Sequence, residues 1–255
     1  MTLVEAIISG TVQGITEFLP ISSSGHLVLL HRYLNISESG IFFDICLHVG
    51  TLAAVLLYFS KEILAIIRER NTFRVLCIAV ATIPAIVAAF FFEGMISSFF
   101  MDPKKVALML IVTGFVLFAG QFGLRAGRSE KKDLTVLDSL LIGIAQAFSL
   151  LPGLSRSGAT ISTGLVRGMK AETAFTFSFL LAIPAIIGAV LYNGMKKISR
   201  DAVLVDDPVN YIAGMVTAFV VGLICLPLLL KVVKRKRLYI FGIYCLVLGI
   251  GGIFF

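Results

Sequence analysis

Residues 3–25 read LVEAIISGTVQGITEFLPISSSG, and residues 136–158 read VLDSLLIGIAQAFSLLPGLSRSG. Each begins as an apolar run and ends in a knot of Pro, Gly and Ser beside a charged residue. The first knot has Glu17 just before it and continues through Gly25 into His26; the second holds Pro152, Gly153 and Arg156. Broken backbone frees N–H and C=O groups that lipid cannot satisfy, at several kcal/mol each. It is tolerated where it is buried in protein or lines a wet cavity. Two half-helices that enter, turn and leave by the same membrane face meet that condition, over 3–31 and over 136–167. A Pro-kinked full span is the plainer alternative.

The rest of the chain is the setting for these stretches. Of 255 residues, 58% are hydrophobic and 15% charged, and the mean hydropathy is +0.99. An ordinary soluble domain has about 45–50% apolar and about 25% charged residues. A chain this apolar cannot cover its own core with polar surface, so the reading is an all-α integral membrane protein. Disorder, a collagen-like fibre and a disulfide scaffold are excluded. Cys46, Cys77, Cys225 and Cys245 stand alone in apolar stretches and read as packing residues, not a metal or disulfide framework. The net charge of +7 sits in short breaks such as KVVKRKR at 231–237, where membrane topology explains it and nucleic acid is not needed as a partner. The N-terminal run lacks a preceding Lys or Arg and is interrupted by Glu5 and Glu17, so it reads as part of the mature protein, not a signal peptide.

A crossing helix needs about 20 apolar residues. Six stretches answer to that, at about 42–60, 73–92, 105–124, 172–195, 209–230 and 238–255. The paired IPAI segments put Pro84 and Pro184 inside two of these spans, where they read as kinks used in packing.

A constant shift of 133 lays residues 3–25 on 136–158 without a gap. Gly10 then falls on Gly143, Gln13 on Gln146, Ser22 on Ser155, Ser24 on Ser157 and Gly25 on Gly158. Three spans follow each knot, which predicts two copies of one unit within a single membrane domain. Residues 1–125 form the first copy and 134–255 the second. Each is a re-entrant hairpin plus three transmembrane helices. An odd number of crossings makes the copies inverted, so the hairpins dip in from opposite faces and meet near the midplane. On this topology the loops 61–74, 125–135, 167–170 and 231–237 share one face and hold 15 of the 22 Lys and Arg. That face is cytoplasmic by the positive-inside rule, and the first hairpin opens to the outer side.

The copies differ where chemistry would need them to. Glu17 is matched by Leu150, His26 by Ala159 and Ser23 by Arg156. A charge at membrane depth costs about 2.5–3.5 kcal/mol on insertion scales, so Arg156 needs a partner or a task. Its planar fork suits phosphate oxygens, and Ser155, Ser157, Gly158 and Thr160 around it could form an anion nest at a half-helix N-terminus. A structural ion pair with Glu17 is the plainer reading. Glu17 could ligate a metal such as Mg2+ carried on a diphosphate, or act as a base, with Gln13 one turn before it on the same side. His26 could protonate a leaving oxygen, act as a base or attack phosphorus. Ser22, Ser23 and Ser24 could hydrogen-bond phosphate or cap the returning half-helix; at least one should cap, and Ser23, opposite Arg156 in the repeat, is the choice for chemistry. Asp44 and His48 lie near the outer start of the first full span, where His48 reads as a polar packing residue, and His31 reads as interfacial.

At these residues the chain resembles the undecaprenyl-diphosphatases, also called bacitracin-resistance proteins. One family motif, (E/Q)-x-x-x-E before a Pro/Ser-rich stretch ending in G-H, stands here as Gln13-Gly-Ile-Thr-Glu17 and then FLPISSSGH. The other, P-G-x-S-R-S-x-x-T, stands as Pro152-Gly-Leu-Ser-Arg-Ser-Gly-Ala-Thr160. The resemblance implies hydrolysis of undecaprenyl diphosphate to the monophosphate and phosphate, recycling the lipid carrier of peptidoglycan synthesis. It implies a bacterial plasma membrane location with the site facing outward, and a divalent cation, Mg2+ or Ca2+. It puts Glu17, Ser23, His26 and Arg156 at the family's catalytic positions, with a homodimer as an allowed assembly. Gln13 stands where many members have Glu, which removes one carboxylate from any metal site. A transporter or flippase for a phosphorylated polyprenol is the alternative. A pure carrier needs anion donors but no base or nucleophile, so Glu17, Ser23 and His26 on one hairpin separate the two.

Overall fold

A computed structural model describes residues 1–33, 41–125, 133–198 and 208–254. The charged loop segments 34–40, 126–132 and 199–207, on which part of the topology argument rests, lie outside the described residues, as does the side chain of His31. Twelve helices and no strand make up the described residues. They are α1 (Leu3–Phe18), α2 (Ser23–Tyr33), α3 (Ile41–Tyr58), α4 (Ser60–Arg68), α5 (Thr72–Phe91), α6 (Glu93–Phe100), α7 (Pro103–Arg125), α8 (Val136–Phe148), α9 (Arg156–Val166), α10 (Ala171–Ile198), α11 (Pro208–Lys234) and α12 (Tyr239–Phe254).

Four of these, α5, α7, α10 and α11, are long and apolar enough to cross a membrane; α3 and α4 together make a fifth candidate, bent by 63°. α12, where a sixth span is expected, is a shorter apolar helix of 16 residues. Their outward faces carry large apolar side chains, Phe90 at 78% exposure and Phe122 at 74%, which in water would form an untenable surface. This is a multi-pass membrane protein. Pro84 and Pro184 lie inside α5 and α10, and all four cysteines are free.

The four helices of the two broken stretches have 16, 11, 13 and 11 residues. At about 1.5 Å per residue each is shorter than the hydrocarbon core of about 30 Å. Their ends are set by side chains that recur at the shift of 133. Thr2 Oγ1 accepts the Glu5 N–H, and Thr135 Oγ1 accepts the Asp138 N–H. Ser22 Oγ accepts the Gly25 N–H at 3.3 Å, and Ser155 Oγ accepts the Gly158 N–H at 3.1 Å. Each such cap is worth about 1 kcal/mol.

Packing repeats in the same way. α1 lies along α11 and α8 along α5; α3 packs on α11 and α10 on α5; α7 runs along α12. A Cβ on Gly10 would strike the Gly214 carbonyl, and one on Gly143 would strike the carbonyl of Ala81, which is 133 residues before Gly214. Small residues let backbones approach this closely, which is how helices gain contact where lipid removes the hydrophobic drive. At the centre Phe18, Phe59, Phe175 and Phe179 are buried together, with the Phe175 and Phe179 rings 4.8 Å apart.

Gly153 in the second knot has φ +95°, and a Cβ there would also lie 2.8 Å from Met109 Cβ. Gly153→Ala is expected to cost about 2–4 kcal/mol, from backbone strain and overpacking together. Thermal unfolding of the detergent-purified variant beside the parent measures it.

Candidate active site

The two knots touch. Gly153 N–H in the second donates to Ser22 Oγ in the first at 3.1 Å, and Ser157 Oγ donates to the Leu19 carbonyl at 3.5 Å. Thr113 of α7 braces the second knot, donating through Oγ1 to the Gly153 carbonyl and accepting the Ser155 N–H. Ser22 holds φ +71°, the left-handed region a serine seldom occupies, and it is buried. Strain of that kind costs on the order of 1–3 kcal/mol and persists only where surrounding bonds over-determine it. Here the Ser22 side chain receives N–H groups from both knots.

The last turn of α1 and the first turn of α9 bring the charges together. Arg156 Nη2 donates to Glu17 Oε1 at 2.6 Å, with the two side chains 14% and 8% exposed. Ser23 Oγ donates to the other carboxylate oxygen, Oε2, also at 2.6 Å. Gln13 Nε2 reaches that same oxygen at 3.3 Å. The Arg156 guanidinium carbon is 5.9 Å from the centre of the Phe179 ring, so the aromatic core forms a platform for the cation. The structural ion pair is therefore real. It leaves Arg156 Nη1 buried without a partner among the described residues, and Gln13 Oε1 in the same condition. Native proteins rarely bury such atoms unsatisfied, and a guanidinium N–H suits an anion's oxygen while an amide carbonyl suits a cation or donor. Among the described residues no group of three or more His, Cys, Asp or Glu could hold a metal ion, so any cation would need substrate oxygens as well.

The other expected residues divide. His26, one turn into α2, has Nδ1 2.7 Å from the Ser22 carbonyl and Nε2 2.8 Å from the Tyr244 hydroxyl on α12. Ser24 Oγ lies 3.3 Å from Ser22 Oγ, and Ser157 Oγ 3.3 Å from Ser155 Oγ. The Gly158 N–H is taken up by the Ser155 cap, so it does not serve the expected nest. Thr160 Oγ1 turns back to the Arg156 carbonyl and to Ser178 Oγ, away from the carboxylate. His48, expected to be a packing residue, comes within 3.9 Å of Glu17 Oε2 through Nε2 while its Nδ1 meets the Asp44 carbonyl. The i, i+4 spacing of Asp44 and His48 is legible in the sequence; the approach of α3 to α1 is not. Tyr244 and Phe179 carry no local signal at all.

Removing the guanidinium leaves the Glu17 carboxylate buried and unpaired, so Arg156→Ala should lower stability by about 3–5 kcal/mol. Arg156→Ala combined with Glu17→Gln should recover at least half of that loss, because the stranded charge is gone. Unfolding midpoints of the two variants and the parent decide it.

Comparison with known proteins gives this arrangement a family. Undecaprenyl-diphosphatase of Syntrophotalea carbinolica is 42% identical over 265 residues, covering 100% of this chain and 98% of that protein. Proteins of the same name from Carboxydothermus hydrogenoformans and Methanosphaera stadtmanae are each 37% identical, with 98% of this chain and 96% of the relative covered. The family model described as bacitracin resistance protein BacA matches residues 6–251, which takes in both knots and every helix between them, and the chain belongs to that family.

Proposed function

We propose that this chain is a membrane phosphatase that hydrolyses undecaprenyl diphosphate to undecaprenyl phosphate and inorganic phosphate. The names of its full-length relatives support the substrate. The observation that carries the chemistry is the line Ser23–Glu17–Arg156, a hydroxyl held on a carboxylate that is itself held by a guanidinium with one arm unpartnered.

Each group then has a task. Ser23 Oγ attacks the terminal phosphorus as its proton passes to Glu17 Oε2. The Oγ–P bond forms, the P–O bond to the bridging oxygen breaks, and undecaprenyl phosphate leaves. Water then attacks the phosphoserine; as the Oγ–P bond breaks, Glu17 returns its proton to the Ser23 oxygen, and the phosphate leaves as dihydrogen phosphate carrying both protons of the water. Arg156 Nη1 steadies the equatorial oxygens, which is the main catalytic demand in phosphoryl transfer. Ser23 is favoured over His26 as nucleophile because both imidazole nitrogens already face the Ser22 carbonyl and Tyr244. Glu17 and the Gln13 side-chain carbonyl would hold a divalent cation, Mg2+ or Ca2+, brought with the diphosphate; when bound, it neutralises charge on the phosphoryl oxygens. All the groups come from one chain, so hydrolysis needs no second copy.

The architecture proposed with it is a pair of inverted repeats, each a re-entrant hairpin with three spans, in the bacterial plasma membrane. Caps, helix pairings and the Gly10 and Gly143 approaches that recur at a shift of 133 support the repeat. The basic bias of the loops supports a site opening to the outer face. A pure lipid carrier would have no use for the Ser23–Glu17 bond.

Phosphate release from a polyprenyl diphosphate by the purified protein in detergent tests the reading. Release should stop in EDTA, fall at least 100-fold in Arg156→Ala and Glu17→Gln, and fall about 1000-fold in Ser23→Ala. Folded protein that binds the lipid and releases no phosphate would make it a carrier.

A further inference from the structure

We propose that Tyr244 is a positioning residue of this site, holding the His26 imidazole in one tautomer and one orientation. The two residues are 218 apart in sequence, yet Tyr244 Oη and His26 Nε2 are 2.8 Å apart. Their rings lie 7° from parallel with centroids 5.7 Å apart, so the tyrosine hydroxyl approaches the nitrogen near the plane of the imidazole.

The opposite nitrogen decides what that bond is. The Ser22 carbonyl can only accept, so the hydrogen sits on His26 Nδ1 at 2.7 Å. In the neutral imidazole Nε2 is then the acceptor, and the Tyr244 hydroxyl is the donor. Ser22 is itself fixed, with its left-handed backbone and its Oγ receiving Gly153 N–H from the second knot. The imidazole is thus clamped between the junction of the two knots and α12. The neighbouring residue keeps α12 in register: Cys245 is fully buried, and its Sγ points at the Pro20 carbonyl at 3.9 Å.

Tyr244 has no comparable packing role of its own. Its side chain is 43% exposed on a helix whose outer residues, such as Val247, face away from the protein. Tyrosines at such places are common as interfacial anchors, with the hydroxyl in the headgroup layer. This hydroxyl is instead spent on a histidine of the site. The kinetic consequence rests on the phosphatase reading above; the tautomer does not.

Tyr244→Phe keeps the ring and removes the donor. In protein with 15N-labelled histidine, the His26 signals are identified by their loss in His26→Gln. The parent should show the Nδ1–H form, and Tyr244→Phe should shift the Nε2 signal and populate the other tautomer. With polyprenyl diphosphate as substrate, kcat should drop about tenfold with KM changed less than twofold, the pattern of a lost orienting bond. Tyr244→Ala should lose at least as much. Unchanged His26 signals in Tyr244→Phe would overturn the proposal, whether or not kcat falls, and so would wild-type kcat in that variant. If the parent itself released no phosphate, the phosphatase reading would fail on its own, and the histidine spectrum alone would still decide Tyr244.

Discussion

The ion pair between Arg156 and Glu17 links the two knots, and the rest of the site is arranged around it. Each charge alone would be expensive at membrane depth, about 2.5–3.5 kcal/mol for an arginine on insertion scales and more where no lipid defect relieves it. Together they neutralise, provided their remaining polar atoms find partners. Glu17 finds them in Ser23 and Gln13. Arg156 finds the face of Phe179 and keeps one nitrogen in reserve. The junction is thus not closed: Arg156 Nη1 on one side and Gln13 Oε1 on the other are both buried without a partner among the described residues.

The same constraint explains the knots. A carboxylate on one half-helix and a guanidinium on another meet at 2.6 Å only if both turns are held to within tenths of an ångström. Ser22 does this with a left-handed backbone that an unconstrained serine avoids, and Gly153 with a positive φ that glycine takes readily. Thr113 on α7 and the Ser155 cap complete the bracing. Strained backbone, buried serines and small residues thus serve one end, the placement of two charges.

Much of this was legible before any coordinates. The broken stretches, Arg156, Glu17 and Ser23 stand out because Pro, Gly and charge are costly in an apolar chain and so announce themselves. Four of the six expected spans correspond to long apolar helices. What the sequence could not carry are contacts made by ordinary residues across long separations. Phe179 is one phenylalanine among 21, and Tyr244 one tyrosine among six. His48 sits one turn after Asp44 in an otherwise apolar helix, where a histidine is more often a packing residue, and only the approach of α3 to α1 changes that. At Gly158 the pattern that suggests an anion nest also spells an N-cap, a serine three residues before a glycine, and the cap takes the N–H. The bend between α3 and α4 escapes composition as well, since apolar content does not record direction.

The repeat makes the divergence of the two copies intelligible in electrostatic terms. Hydrogen bonds that build the turns recur at a shift of 133, as do Gln13 and Gln146 on α1 and α8. Among the residues that differ are Glu17 against Leu150, Ser23 against Arg156 and His26 against Ala159. Two identical knots meeting at one point would bring two carboxylates, or two guanidiniums, into a space with little water. Like charges at that range cannot both stay ionised, and one would have to be neutralised or expelled. A neutral symmetric pair would be stable but would have nothing to offer a diphosphate. A split, with the carboxylate and hydroxyl on one knot and the guanidinium on the other, neutralises the junction. The asymmetry of the two knots is therefore what lets them meet in contact with their charges neutralised.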